Sequence, residues 1–186
     1  TLTPREGITF HDGTPWDVDA LSTHFETMRA SILVGNVFND IEDQQIQGDS
    51  LVLTMARSWT HFPLFLAAQP GYVASPTWLA AVEAGEASES EPVGTGPFQF
   101  AEYNPGDNFR MTRNEDYWLI APDGEPYPYL DEINFLVQAE NQTRDNAIIS
   151  GDIDITHMDS GESIERLRQE ADAGTINLFE IDQRQE

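Results

Sequence analysis

The chain has 186 residues, of which 33 are acidic and nine are basic, so its formal net charge at pH 7 is −24. A surface of this charge repels nucleic acid and anionic lipid headgroups, so neither is expected as a partner. The absence of cysteine excludes disulfides, thiol nucleophiles and cysteine metal sites. No apolar run is long enough to predict a membrane-spanning helix.

The charge has a second unusual feature, because all nine basic residues are arginine and none is lysine. Repulsion between so many carboxylates destabilises a compact fold at low salt, whereas at about 1 M salt the Debye length falls to about 3 Å and screens it. Two interpretations stay open: adaptation to high salt, favoured by the missing lysine, and an ordinary acidic bacterial surface.

Strand and helix patterns alternate along the chain. Residues 8–10 predict a short strand, and Asp17 can cap a helix that should end near Ser31, with Val18, Leu21 and Phe25 at helical spacing. The later predictions, in chain order, are a hairpin around 48–50, a short helix at 62–68, a strand at 72–74, a helix opening at 75–76, a hairpin around 104–107, a strand at 133–137, a helix at 143–150, a strand at 153–155, an amphipathic helix at 164–171 and a strand at 176–181. This mixture of hairpins and helix-linked strands predicts an α/β or mixed α+β fold.

The four histidines do not have the spacing of a metal site. His11 lies in a predicted turn, His24 on what we take to be a polar helix face, His61 before a proline and His157 after a predicted strand. No pair has the spacing that places two imidazoles on one helix face, so neither a metal nor a cofactor is predicted.

Other motifs of enzyme or ion sites are incomplete. Residues 94–97 are glycine-rich but lack the lysine of a phosphate loop and lead into a strand. Asp152, Asp154 and Asp159 suggest a calcium loop, but His157 occupies the position that requires glycine. No nucleophile elbow occurs. We therefore predict a binding protein and not an enzyme.

Three segments carry a resemblance to a known family. They read REGITFHDGTPWDVDALSTHFETM from Arg5, PVGTGPFQFAEYNPGDNFRMTRNEDYW from Pro92 and PYLDEINFLVQAENQTRDNAIISGDIDI from Pro128. In this order the segments resemble the family-5 bacterial extracellular solute-binding proteins, the dipeptide, oligopeptide and nickel-chelate binders of ABC importers.

The resemblance implies a periplasmic-binding-protein-like type II lobe, with a mixed β-sheet, hairpins and flanking helices. Relatives are two-lobed and close around a ligand by hinge motion. We expect residues 1–186 to form a single partial domain, most of lobe I, with the second lobe and an N-terminal segment outside the chain. No signal-peptide pattern is visible at Thr1–Arg5.

The resemblance also implies partners and a location. The expected partners are a small-molecule or peptide ligand and an ABC transporter permease, and the expected location is the periplasm or cell surface, where relatives often carry a lipid anchor. Relatives carry peptides, nickel chelates, oligosaccharides and opine-like compounds, so the solute stays open. A non-transport peptide sensor or chaperone on the same fold, and an unrecognised hydrolase, remain alternatives.

Two segments are the candidates for a ligand-binding wall, because related proteins place the corresponding stretches at the cleft. In the first, Asn36 offers hydrogen bonds and Phe38 a stacking surface. In the second, Gln69 and Tyr72 offer the same pair of properties around Gly71. The alternative for both is an ordinary loop with core aromatics.

Overall fold

The structure is a computed structural model that describes residues 1–32 and 34–180. Its helices are α1 (Val18–Ala30), α2 (Gly35–Phe38), α3 (Phe62–Phe65), α4 (Pro76–Glu83), α5 (Asn141–Ser150) and α6 (Gly161–Asp172), with a 3₁₀ turn at Gln69–Gly71. Its strands are β1 (Ile41–Gln47), β2 (Ser50–Met55), β3 (Phe98–Asn104), β4 (Asn108–Arg113) and β5 (Glu132–Leu136). The chain divides into two compact units, Thr1–Phe135 and Leu136–Glu186. Within the described residues, no helix is long and apolar enough to cross a membrane.

Helix α1 begins and ends where the sequence predicts. The Asp17 carboxylate accepts hydrogen bonds from the amides of Asp19 and Ala20, which are free donors in the first turn of a helix. The positive charge of Arg29 in the last turn interacts favourably with the negative end of the helix dipole. The helix ends at Ser31, whose ψ of 131° is not helical. The predicted helix is confirmed.

The main hydrophobic core lies in the N-terminal part of the first unit, between α1, the β1–β2 hairpin and α3. The ring of Phe25 lies 5.8 Å from that of Phe38 and 6.3 Å from that of Phe62, measured between centroids. The buried members of this cluster are Leu21, Phe25, Phe38, Ile41, Leu51 and Phe62. The candidate segments are therefore built around a core of close-packed aromatic rings.

Two sheets form in the first unit. β1 and β2 pair antiparallel with Ile46 opposite Leu51. β3 and β4 also pair antiparallel, and Gly106 occupies the turn with a positive φ of 81° that suits glycine. β5 adds to β4 and completes a three-stranded sheet in the order β3-β4-β5. Both predicted hairpins and the predicted strand near 133–137 are confirmed.

The second unit contains α5 and α6. Among its described residues, the buried apolar ones are Ala147 and Leu167. The Arg166 guanidinium donates a hydrogen bond to Asn146 Oδ1 at 2.7 Å and lies 3.7 Å from the buried carboxylate of Asp145. Because Arg166 belongs to α6 and both of its partners to α5, polar contacts reinforce the packing of the two helices.

Four strand predictions differ from the structure. Residues 8–10 form only one isolated bridge, between Thr9 and Pro15. Residues 72–74 and 153–155, and the described part of 176–181, are not strands. A strand needs a neighbour to complete its hydrogen bonds, and these segments have no ladder partner among the described residues. Residue 181 lies outside the described part, and the helix predicted at 62–68 is shorter, ending at Phe65.

Candidate functional site

The first candidate segment is the single turn α2, which is pressed against the end of α1. A Cβ added at Gly35 would lie 2.6 Å from the carbonyl oxygen of Arg29, so only glycine fits there. The Gly35 amide donates a hydrogen bond to the carbonyl oxygen of Ser31 at 2.9 Å. The side chain of Asn36 follows and is exposed. The turn therefore presents an amide side chain to solvent from a fixed backbone.

Phe38 does not take the ligand-facing position that we expected. Its side chain is fully buried, and its ring lies 5.8 Å from those of both Phe25 and Phe65. The apolar ring is buried in preference to the neighbouring Asn36 because burial removes about 150–250 Å² of aromatic surface from water. Phe38 anchors α2 on the core, and its ring is not accessible to a ligand in this structure.

The second candidate segment is the 3₁₀ turn Gln69–Gly71 with Tyr72. The Gly71 amide donates to the carbonyl oxygen of Ala68 at 2.9 Å, and the Tyr72 amide donates to that of Gln69 at 3.0 Å. A Cβ at Gly71 would lie 1.8 Å from the carbonyl oxygen of Leu66. Gln69 is exposed, and Tyr72 is 69% exposed. Two ligand-competent side chains thus flank a tightly packed glycine.

His24 lies under this second segment, and sequence reasoning missed it. The prediction of a polar helix face was wrong, because the side chain is only 3% exposed and its Nε2 lies 2.8 Å from the carbonyl oxygen of Pro70. The signal was present, since His24 is three and four residues after the buried Leu21 and Ala20. Burial lowers the pKa of His24 below its ordinary 6.5, against the opposing effect of the hydrogen bond to Pro70.

A mainly apolar cavity of about 200 Å³ lies beside His24. Apolar side chains from α1 and from the N-terminal segment line it together with the second candidate segment. Among the lining residues are Leu2, Trp16, His24, Phe25, Gly71 and Val73. The turn Gln69–Gly71 therefore borders open space on this side.

Two of the sequence motifs meet in the first unit. The His11 amide donates to the carbonyl oxygen of Gly94 at 2.9 Å, and its Nε2 lies 3.0 Å from that of Gly96. The hydroxyl of Ser75, which caps α4 and is fully buried, donates to Asp12 at 2.5 Å. The His11 contacts tie the turn at 11–15 to the glycine-rich segment at 94–97, and the Ser75 contact ties it to the start of α4, so these motif residues build the scaffold.

The carboxylate of Asp12 is stabilised in its ionised form at this junction. Its partial burial alone would raise its pKa. The hydrogen bonds that it accepts from the Ser75 hydroxyl and the Thr14 amide outweigh that effect and lower the pKa below 3.8. Among the described residues, no group of three or more acidic or histidine side chains could hold a metal ion.

The sequence profile of the bacterial extracellular solute-binding proteins, family 5 (middle region), matches residues 1–183. The chain belongs to this family. Its members are solute-binding proteins rather than enzymes. They are extracytoplasmic and bind solutes.

One curated relative in this family is the glutathione-binding protein GsiB of Shigella flexneri. It is 28% identical over 158 residues, which cover 82% of this chain and 29% of the relative. The chain therefore spans less than a third of the length of the curated relatives that it matches.

Solved structures of the family share the fold. The nickel ABC transporter protein from Bacillus halodurans is 27% identical, with a TM-score of 0.69 over 88% of this chain and 32% of that one. DppA from Helicobacter pylori, solved with the peptide STSA, has a TM-score of 0.74 at 20% identity over 89% of this chain and 36% of that one. The predicted mixed α/β, periplasmic-binding-protein type II architecture is confirmed.

Proposed function

We propose that the protein containing this family-5 chain is the solute-binding component of an ABC importer, capturing a peptide or a similar small solute and delivering it to a permease. The observation that carries the proposal is the family match over residues 1–183. The relatives' names support a peptide-like cargo, since GsiB is named for glutathione and DppA was solved with a peptide. The proposed location is the periplasm or cell surface.

The proposed ligand wall consists of Asn36, Gln69, Gly71 and Tyr72. Its exposed amide side chains donate and accept hydrogen bonds, as peptide groups require, and the exposed ring of Tyr72 offers a stacking face. The backbones of the two segments are fixed at Gly35 and Gly71, where no Cβ fits. Less conformational entropy is therefore lost when a ligand binds. Phe38 supports the first segment from the core.

The acidic surface supports a further part of the proposal, adaptation to high salt. The eight arginines that the structure describes each contact a carboxylate, an amide or backbone oxygen, or an aromatic ring: Arg5, Arg29, Arg57, Arg110, Arg113, Arg144, Arg166 and Arg168. Many of the 33 acidic side chains therefore depend on solvent cations for screening.

Native mass spectrometry of the intact protein purified from its host tests the function. We expect a 1:1 adduct with the mass of a peptide or another small solute, which is released on unfolding. Reconstitution with the cognate permease should give solute-dependent stimulation of ATP hydrolysis. Turnover of the adduct by the binding protein alone would contradict the proposal and favour the hydrolase alternative.

A further inference from the structure

His24 is a buried polar side chain that connects α1 with the second candidate segment. Its Nε2 lies 2.8 Å from the carbonyl oxygen of Pro70, the central residue of the turn Gln69–Gly71. A carbonyl oxygen only accepts hydrogen bonds, so Nε2 carries the hydrogen and donates. We infer that His24 is a positioning residue that holds this turn, and with it Gln69 and Tyr72, in the conformation that contacts ligand. The ligand part of this inference rests on the proposed function.

Besides the two backbone hydrogen bonds that close it, the turn is held by a steric contact with Leu66 and a polar contact with His24. On one side, Gly71 packs so closely on the carbonyl of Leu66 that no Cβ fits. On another side, His24 donates to Pro70, which is itself buried. A buried carbonyl that loses its donor is strongly disfavoured, so the hydrogen bond opposes any conformation in which Pro70 moves away from His24.

The space beside the turn makes this hydrogen bond more important. His24 and Gly71 both line the cavity of about 200 Å³, so packed side chains do not fill the space next to the turn. Where it faces the cavity, the turn lacks close packing, so on that face it depends on specific bonds in addition to its contact with Leu66. Without the His24 donor, the turn can shift towards the cavity, and the side chains of Gln69 and Tyr72 shift with it.

Two substitutions in the intact protein separate the donor from the volume of the side chain. His24→Gln keeps an N–H donor at nearly the same distance from the backbone, and His24→Leu has none. We expect the amides of Gly71 and Tyr72 to exchange hydrogen about tenfold faster in His24→Leu, as the loss of one buried hydrogen bond implies. Exchange in β1 and β2 should be unchanged, and His24→Gln should restore the wild-type rate. Equal exchange in His24→Leu and the wild type would overturn the inference.

Titration of the same variants with glutathione and with the peptide Ser-Thr-Ser-Ala tests the ligand part. A probe that binds the wild type should bind His24→Leu about tenfold more weakly and His24→Gln almost as tightly as the wild type. If exchange rises in His24→Leu while affinity is unchanged, His24 positions the turn but the turn is not part of the ligand wall. That result would refute the proposed wall and leave the positioning role standing.

Discussion

Of the described glycines, Gly71 is the one at which an added Cβ would lie closest to another atom. A Cβ there would lie 1.8 Å from the carbonyl oxygen of Leu66, 2.7 Å from its carbonyl carbon and 3.1 Å from its Cα, all backbone atoms. Ordinary contact begins at 3.4 Å, so Gly71→Ala must separate the two backbones by about 1.6 Å (3.4 − 1.8). Because neither backbone can rotate away as a side chain can, we expect a loss of about 1–3 kcal/mol in the free energy of unfolding.

Thermal unfolding of the chain followed by circular dichroism measures this loss. For a chain of this size, it lowers Tm by about 2–12 °C. Gly94→Ala is the matched control, because the nearest atom to its Cβ, the carbonyl oxygen of Val73, is 3.9 Å away. Equal Tm values for Gly71→Ala and Gly94→Ala would refute the argument that the turn is locked against Leu66.

Three further predictions concern the scaffold and the charge. Ser75→Ala removes the cap of α4 and the buried bond to Asp12, and urea denaturation should show a loss of about 1–3 kcal/mol, whereas a loss below the experimental error would refute the buried junction. Because the folded pKa of His24 lies below 6.5, the unfolded chain takes up this proton first, so stability falls as pH drops from 6.5 towards the folded pKa. His24→Gln should lose less stability in that window, and an identical pH profile would contradict the assignment. Raising NaCl from 0.1 to 1 M should raise Tm of the −24 chain, and a Tm that falls or stays constant would argue against self-repulsion.

The elements predicted correctly from the sequence are stabilised by contacts between residues that are close in sequence. The carboxylate of Asp17 reaches amides two and three residues away, and the turn at Gly106 joins strands that are adjacent in sequence. The strand predicted at 72–74 did not form. The amide of Tyr72 bonds to Gln69 within the 3₁₀ turn, and no strand among the described residues pairs with this segment.

The candidate site was also only partly predictable, because contacts between residues distant in sequence determine which of its side chains are buried. Asn36, Gln69 and Tyr72 are exposed as a ligand wall requires, but Phe38 is in the core. Helix α2 has four residues, too few for a periodic pattern to identify its buried face. The contact of His24 with Pro70 spans 46 residues in sequence, a distance at which periodicity gives no information.

Calorimetric titration of the intact protein with its co-purifying solute tests the central claim most directly. We predict that Gln69→Ala and Tyr72→Ala each weaken binding by about tenfold or more, the loss expected for one hydrogen bond or one stacked ring. Gln47→Ala, at an exposed position of the β1–β2 hairpin, should bind as the wild type does. Wild-type affinity in both Gln69→Ala and Tyr72→Ala would contradict the assignment of this surface as the ligand wall.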